Sequence, residues 1–298
     1  MAQPQESFPK EIYEVPGMIN NQERELFYKL AKEQYTGKGE IVEVGALFGA
    51  SSTSLGAGIR DNKNDFNKHK RLHVYDIFIC YPDFNQRFFH PRKIFDYDTD
   101  DNTMPYYMEN VKNFEDYIEA TRIDATKVVW DKNKKIEILF IDAAAGPEFL
   151  EEIINVFYEH LDPSFSIIID QDNFYEFAWW INVKNAVFAD YFKPIAFADA
   201  SLVQRYVQPF DLKSLNYDMK NFPFEICQHY LKKYREFWKY RNKHIYDLLE
   251  IQRLNYEMEN NIEHLKQLYR NKLPITKYRT ISVIKNLASK FNSVMKKD

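Results

Sequence analysis

Residues 41–52 read Ile41-Val42-Glu43-Val44-Gly45-Ala46-Leu47-Phe48-Gly49-Ala50-Ser51-Ser52. This is a short β-branched run, a loop with two glycines, and the start of a helix predicted over Ser51–Ile59. The chain holds 8 glycines in 298 residues, and six of them (Gly37, Gly39, Gly45, Gly49, Gly56, Gly58) surround this stretch. A sequence that spares glycine elsewhere uses it here for positive φ or for close approach to another group. Taken as strand, loop and helix, residues 43–52 form a backbone cradle at the carboxyl end of a first strand. In doubly wound sheets that crevice holds the ligand.

The cradle does not fit a dinucleotide. In G-x-G-x-x-G counted from Gly45, the later glycines fall on Leu47 and Ala50, and these side chains hinder a pyrophosphate. No Gly-Lys-Ser/Thr follows, so a phosphate-binding Walker loop is also absent. Glu43 sets a carboxylate at the entrance, which suits a cation and opposes a phosphate. S-adenosylmethionine has an ammonium, a sulfonium and no phosphate. Its ribose diol needs an acceptor at the end of the second strand, where Asp76 stands.

The rest of the chain supplies the sheet. Asn20 and Glu23 form a capping-box pattern before the apolar stripe Leu26, Phe27, Leu30, Ala31,. Leu72–Phe78 reads as the second strand, and a weak third lies around Ala120–Ile123. Ile136–Ile141 and Phe165–Ile169 are near-continuous apolar runs, the mark of parallel strands buried on both faces. Helices are predicted over Met104–Tyr117, Pro147–Leu161 and Trp179–Tyr191, and a closing hairpin over 193–198 and 202–207. Strand and helix in alternation predict an α/β fold with a doubly wound, mostly parallel, Rossmann-like sheet. The Trp179-Trp180 pair reads as core packing. His160 reads as a structural cation at a helix end. Residues 79–103 read as an irregular insertion over the site that brings His90 with it.

Charge divides the chain. Residues 1–210 carry 22 basic and 34 acidic groups, and residues 211–298 carry 18 and 10. The acidic body argues against nucleic acid as substrate, because phosphate neutralisation dominates such binding. The expected organisation is an N-terminal segment and helix (1–35), the sheet domain (36–210) and a basic amphipathic extension (211–298). In the extension a long or broken helix runs from Phe224 to Tyr269, with Arg241, Gln252 and Asn255 spoiling a strict heptad. A second helix over 281–295 suggests peripheral membrane contact through 281–297, packing on the protein, or a homo-oligomer through the C-terminal helices. Two cysteines, no apolar run of membrane-spanning length and no basic-then-apolar start predict a cytoplasmic protein, membrane-peripheral if 281–297 binds lipid.

The stretch from Val15 to Ile59, with VYDIF, RIDATKVVW and IEILFIDAAAGPEFLEEIINVFYEHLDPSFSIIIDQDNF, resembles class I S-adenosylmethionine-dependent methyltransferases of the macrocin O-methyltransferase-like group over roughly residues 15–210. The resemblance implies a seven-stranded sheet and an activity in glycan or secondary-metabolite chemistry. It places the methionine part of the cofactor on Glu43, Gly45, Ala46, Gly49 and Ser51, the ribose on Asp76 and the adenine by Asp124 and Ala125. Asp142 then faces the transferring methyl. It also suggests a magnesium site on Asp142, Asp170 and Asp172, although Gln171 splits the acidic pair. Where relatives continue Ile-Asp-Gly-Asp-His, this chain has Ile141-Asp142-Ala143-Ala144-Ala145, so a histidine base is missing. Asp142 and Asp172 are the catalytic candidates, with a cofactor-positioning role for Asp142 as the alternative. The expected function is O-methyl transfer to a small molecule or a glycan sugar. The competing reading is a non-catalytic methyltransferase-like protein that works through its helical tail.

Overall fold

The computed structural model describes residues 7–79, 102–143 and 145–272; for 265 and 267–272 only the backbone is described. The insertion at 80–101, with Cys80 and His90, and the helix and membrane segment expected beyond Pro274 lie outside these residues.

A short helix α1 (Glu11–Glu14) precedes α2 (Asn21–Lys29). Both halves of the α2 capping box form: the Glu23 amide donates to Asn20 Oδ1 (3.0 Å) and the Asn20 amide donates to Glu23 Oε2 (2.8 Å). The strands β1 (Glu40–Val44), β2 (Leu72–Asp76), β3 (Ile118–Arg122), β4 (Ile136–Ile141) and β5 (Ile167–Asp170) are parallel. Helices α3 (Ala50–Asp61), α4 (Met104–Val111), α5 (Pro147–Phe157) and α6 (Trp179–Val187) connect them. A hairpin of β6 (Phe192–Ala198) and β7 (Ser201–Tyr206) completes the sheet, with β7 antiparallel to β5. The seven strands lie in the order β3-β2-β1-β4-β5-β7-β6.

Every residue of β4 is buried, as its unbroken apolar run demands of a central strand covered on both faces. Strand order reverses between β1 and β4, so the loops after Val44 and Ile141 diverge and leave a crevice between them. Several expected boundaries move: β2 stops at Asp76 rather than Phe78, α5 at Phe157 rather than Leu161 and α6 at Val187 rather than Tyr191. β5 starts at Ile167 because Ser166 turns its hydroxyl onto the Ile136 carbonyl. The helix expected over 104–117 ends at Val111 and tightens into a 3₁₀ turn, Lys112–Phe114.

The C-terminal part forms two helices, α7 (Phe224–Trp238) and α8 (Lys243–Lys272). Cys227 and Leu231 of α7 join the same core cluster as β4 and α5, and Trp179 stacks on Tyr256 of α8 at 4.0 Å. Ile251, Leu254, Met258 and Ile262 of α8 remain exposed. None of the described helices is long and apolar enough to cross a membrane. His160 packs its ring against Trp130, and burial lowers its pKa. Burial there disfavours the charged form that a helix end favours,.

Candidate active site

A cleft of about 1040 Å3 opens where β1 and β4 diverge. Gly45 has φ +85°, and a Cβ there would lie 2.5 Å from the Asp142 carbonyl oxygen. The first glycine of the loop is thus required by the approach of β1 to β4. Gly49 (φ +90°) would drive a Cβ into Val111 at 2.7 Å. Between them Leu47 also holds a positive φ of 50°, a conformation costly for a residue with a Cβ. Asp76 holds that loop: its Oδ2 accepts from the amides of Ala46 (2.7 Å) and Leu47 (2.9 Å), and its Oδ1 from Phe78 (2.5 Å).

Gly45, Ala46, Ser51, Asp76, Asp124, Ala125, Asp142 and Asp172 all line the cleft. Gly49 does not, since it faces Val111 and Tyr107, and neither do two of the expected carboxylates. Glu43 lies beneath the loop, wholly buried, with one carboxylate oxygen accepting from Ser51 Oγ and the other from Ser52 Oγ (2.6 Å). It fastens the first turn of α3 to β1 instead of gripping the donor from the entrance. Burial pushes its carboxyl up to about 7. Such a group binds more protons in the folded than in the unfolded chain between about pH 4.5 and 7, so stability falls as pH rises through that window. Glu43→Gln is expected to flatten that part of the slope in melting temperatures taken from pH 4.5 to 7.

The second carboxylate is Asp170. Both of its oxygens accept from the buried Lys184 ammonium, and Oδ2 also accepts from Gln204 Nε2 (3.0 Å). A carboxylate neutralised in this way is not available to a metal. Among the described residues no group of three or more His, Cys, Asp or Glu is arranged to hold one. The expected Asp142, Asp170, Asp172 magnesium set therefore does not fit this chain.

The lining has a marked electrostatic character. Among the described residues it includes eight carboxylates (Glu23, Asp76, Asp124, Asp142, Glu148, Glu152, Asp172, Asp199) and no lysine, arginine or histidine. Burial, then the charges of Asp172, Glu43 and Glu23, raise the Asp142 carboxyl well above its ordinary value. The surrounding walls raise Asp172 as well. Asp124 is lowered instead, because Thr126 donates to it from its hydroxyl (2.7 Å) and its amide (3.1 Å). No described group donates a hydrogen bond to the Asp142 or Asp172 carboxylate.

Sequence reasoning missed several members of the lining. Glu23 Oε1 accepts from Gln171 Nε2 (2.9 Å) and Ser201 Oγ (2.8 Å), which brings the N-terminal helix against the β5 end. Gly17, Met18 and Ile19 follow it into the wall, and Tyr75, Phe149 and Asp199 also line the cleft. The capping box located Glu23 at a helix start but carried no signal for the Gln171 contact, which spans 148 positions.

No family model and no curated protein matches the chain. Solved structures do. They include the O-methyltransferase NovP, at 14% identity over 64% of this chain and 82% of that one, with a TM-score of 0.47. CalS11, a TDP-rhamnose 3'-O-methyltransferase of calicheamicin biosynthesis, matches at 13% over 61% and 76%, with a TM-score of 0.41. An O-methyltransferase from Bacillus cereus in complex with SAH matches at 14% over 68% and 92%, with a TM-score of 0.44. These neighbours are O-methyltransferases. At such identities no substrate passes from them to this chain, and the functional reading rests on the cleft.

Proposed function

We propose that the chain is an S-adenosylmethionine-dependent O-methyltransferase acting on a small molecule or sugar hydroxyl. The observation that carries this reading is the acidic lining of a cleft at the strand-order reversal. A low-dielectric cleft lined by one sign of charge attracts the opposite sign. Carboxylates without a single described cation favour a sulfonium and ammonium ligand over any nucleotide phosphate. Ligand pockets run to about 300–1,000 Å3, so a cleft of about 1040 Å3 has room for donor and acceptor together.

In this reading the loop 45–49, with Ser51, borders the methionine part, Asp76 the ribose, and Asp124 with Ala125 the adenine. S-adenosylmethionine held there would supply an electrophilic methyl for an acceptor oxygen and a thioether leaving group that keeps the carbon–sulfur electron pair. The protein's task is mainly alignment, which contributes up to about 7–11 kcal/mol. Asp142 receives the hydroxyl proton, and its raised affinity for protons makes it a better base than an ordinary aspartate. Asp172 borders the acceptor.

Calorimetry with S-adenosylmethionine, S-adenosylhomocysteine and NAD tests the reading. Both sulfur ligands are expected to bind, each about tenfold or more tighter than NAD. Absence of heat with either on folded protein rejects the proposal. Binding without methyl incorporation into any extract would turn it toward a non-catalytic protein.

A further inference from the structure

The segment after β5 is gripped on every side of Asp172, while the Asp172 carboxylate itself meets no described donor. Asp170 is held by Lys184. Gln171 is tied to Glu23 and Ser201. Asn173 is wholly buried; its amide donates to the Ala200 carbonyl (2.9 Å) and its Oδ1 accepts from Asn185 (2.6 Å). Between these anchors Asp172 takes a left-handed φ of 56° and lines the cleft. A non-glycine residue holds such a φ only where its surroundings over-determine the backbone.

The last anchor comes from outside the sheet domain. Gln252 of α8 is wholly buried, and its Nε2 donates to the carbonyls of Asn173 (3.0 Å) and Tyr175 (2.6 Å). Its Oε1 accepts from Asn182 Nδ2 (2.7 Å), which also donates to the Asn173 carbonyl (2.6 Å). One turn on, Asn255 Nδ2 donates to the Glu176 carbonyl (3.0 Å). These two polar residues are the ones that break the heptad of the helix. A purely packing helix has no use for an amide there, since burying one without partners is costly. Here each amide meets a main-chain carbonyl of the loop that leaves the site.

We propose that α8 is a structural part of the active site, with Gln252 a positioning residue that sets the backbone bearing Asp172. This rests on the reading that Asp172 borders the acceptor. It assigns the C-terminal extension to acceptor alignment and leaves donor binding to the loop 45–49 after β1. A misplacement of about 1 Å at a reacting group can cost about a hundredfold in rate.

Three variants separate positioning from packing. Gln252→Leu removes the amide, Gln252→Glu keeps its shape but turns the donor into an acceptor facing two carbonyls, and Leu231→Ala weakens the packing of α7 without touching the loop. Labelled S-adenosylmethionine with a fixed amount of extract as acceptor source gives kcat and the donor KM. Both Gln252 variants are expected to lose about 10–100-fold in kcat, with donor KM and S-adenosylhomocysteine affinity unchanged to about twofold. The Tyr175 and Ala178 amides, which donate to the Asp172 and Tyr175 carbonyls, are expected to exchange hydrogen faster in both Gln252 variants and not in Leu231→Ala. If exchange and kcat in the Gln252 variants change only as they do in Leu231→Ala, the proposal is overturned. A wild-type protein that neither binds nor turns over the donor rejects the methyltransferase reading, and the exchange comparison still decides the positioning.

Discussion

Asp142→Asn is expected to lower methyl transfer by about 10²–10⁴-fold, the range a positioned acid or base contributes, with S-adenosylhomocysteine affinity changed little. The substitution keeps shape and removes the ability to accept a proton. Burial and the neighbouring carboxylates of Asp172, Glu43 and Glu23 raise the Asp142 carboxyl. At low pH it is therefore protonated and idle, and wild-type transfer is expected to climb as pH rises through that elevated value. The donor's positive charge moves the limb downward, since an opposite charge favours the carboxylate. In the asparagine variant the limb disappears. Single-turnover transfer at several pH values measures both effects, and a variant that retains wild-type rate and pH profile would leave Asp142 a positioning role only.

Lys184→Met is expected to have the largest effect on stability, about 3–5 kcal/mol, the loss typical when one partner of a buried ion pair is removed. Lys184 and Asp170 are 1% and 2% exposed, so the orphaned carboxylate would have Gln204 as its remaining donor. Adding Asp170→Leu is expected to restore much of the loss, because an apolar pair avoids the desolvation of two charges. Urea midpoints check both expectations. A Lys184→Met protein as stable as wild type would mean that the pair contributes nothing.

Much of this was legible from local pattern. The apolar run 136–141 could only be a strand covered on both faces, and it became β4 with its bounds unchanged. The capping box at Asn20 and Glu23 formed as spaced, since its partners are three residues apart. The break in the C-terminal helix was less legible. Apolar periodicity ran on past residue 238, but the chain turns at Lys239–Asn242, where the Arg241 and Asn242 amides both donate to the Trp238 carbonyl. The polar residues on the helix seam were visible as exceptions to the heptad, and their use was not, because their partners lie 70 or more positions away.

By itself, the sequence determined the strand, the glycine loop and the helix of residues 40–61, the buried central strands, and an excess of carboxylates where strands end. These follow from periodicity and backbone preference, which act over a few residues. Only the tertiary structure decided which carboxylates face the cleft. Glu43 and Asp170 are indistinguishable from Asp142 and Asp172 by composition, yet the first pair is satisfied by Ser51, Ser52 and Lys184 while the second lines open space. A carboxylate's availability depends on which donors the packed chain brings within about 3 Å of it, and that is fixed by the assembly of the whole sheet.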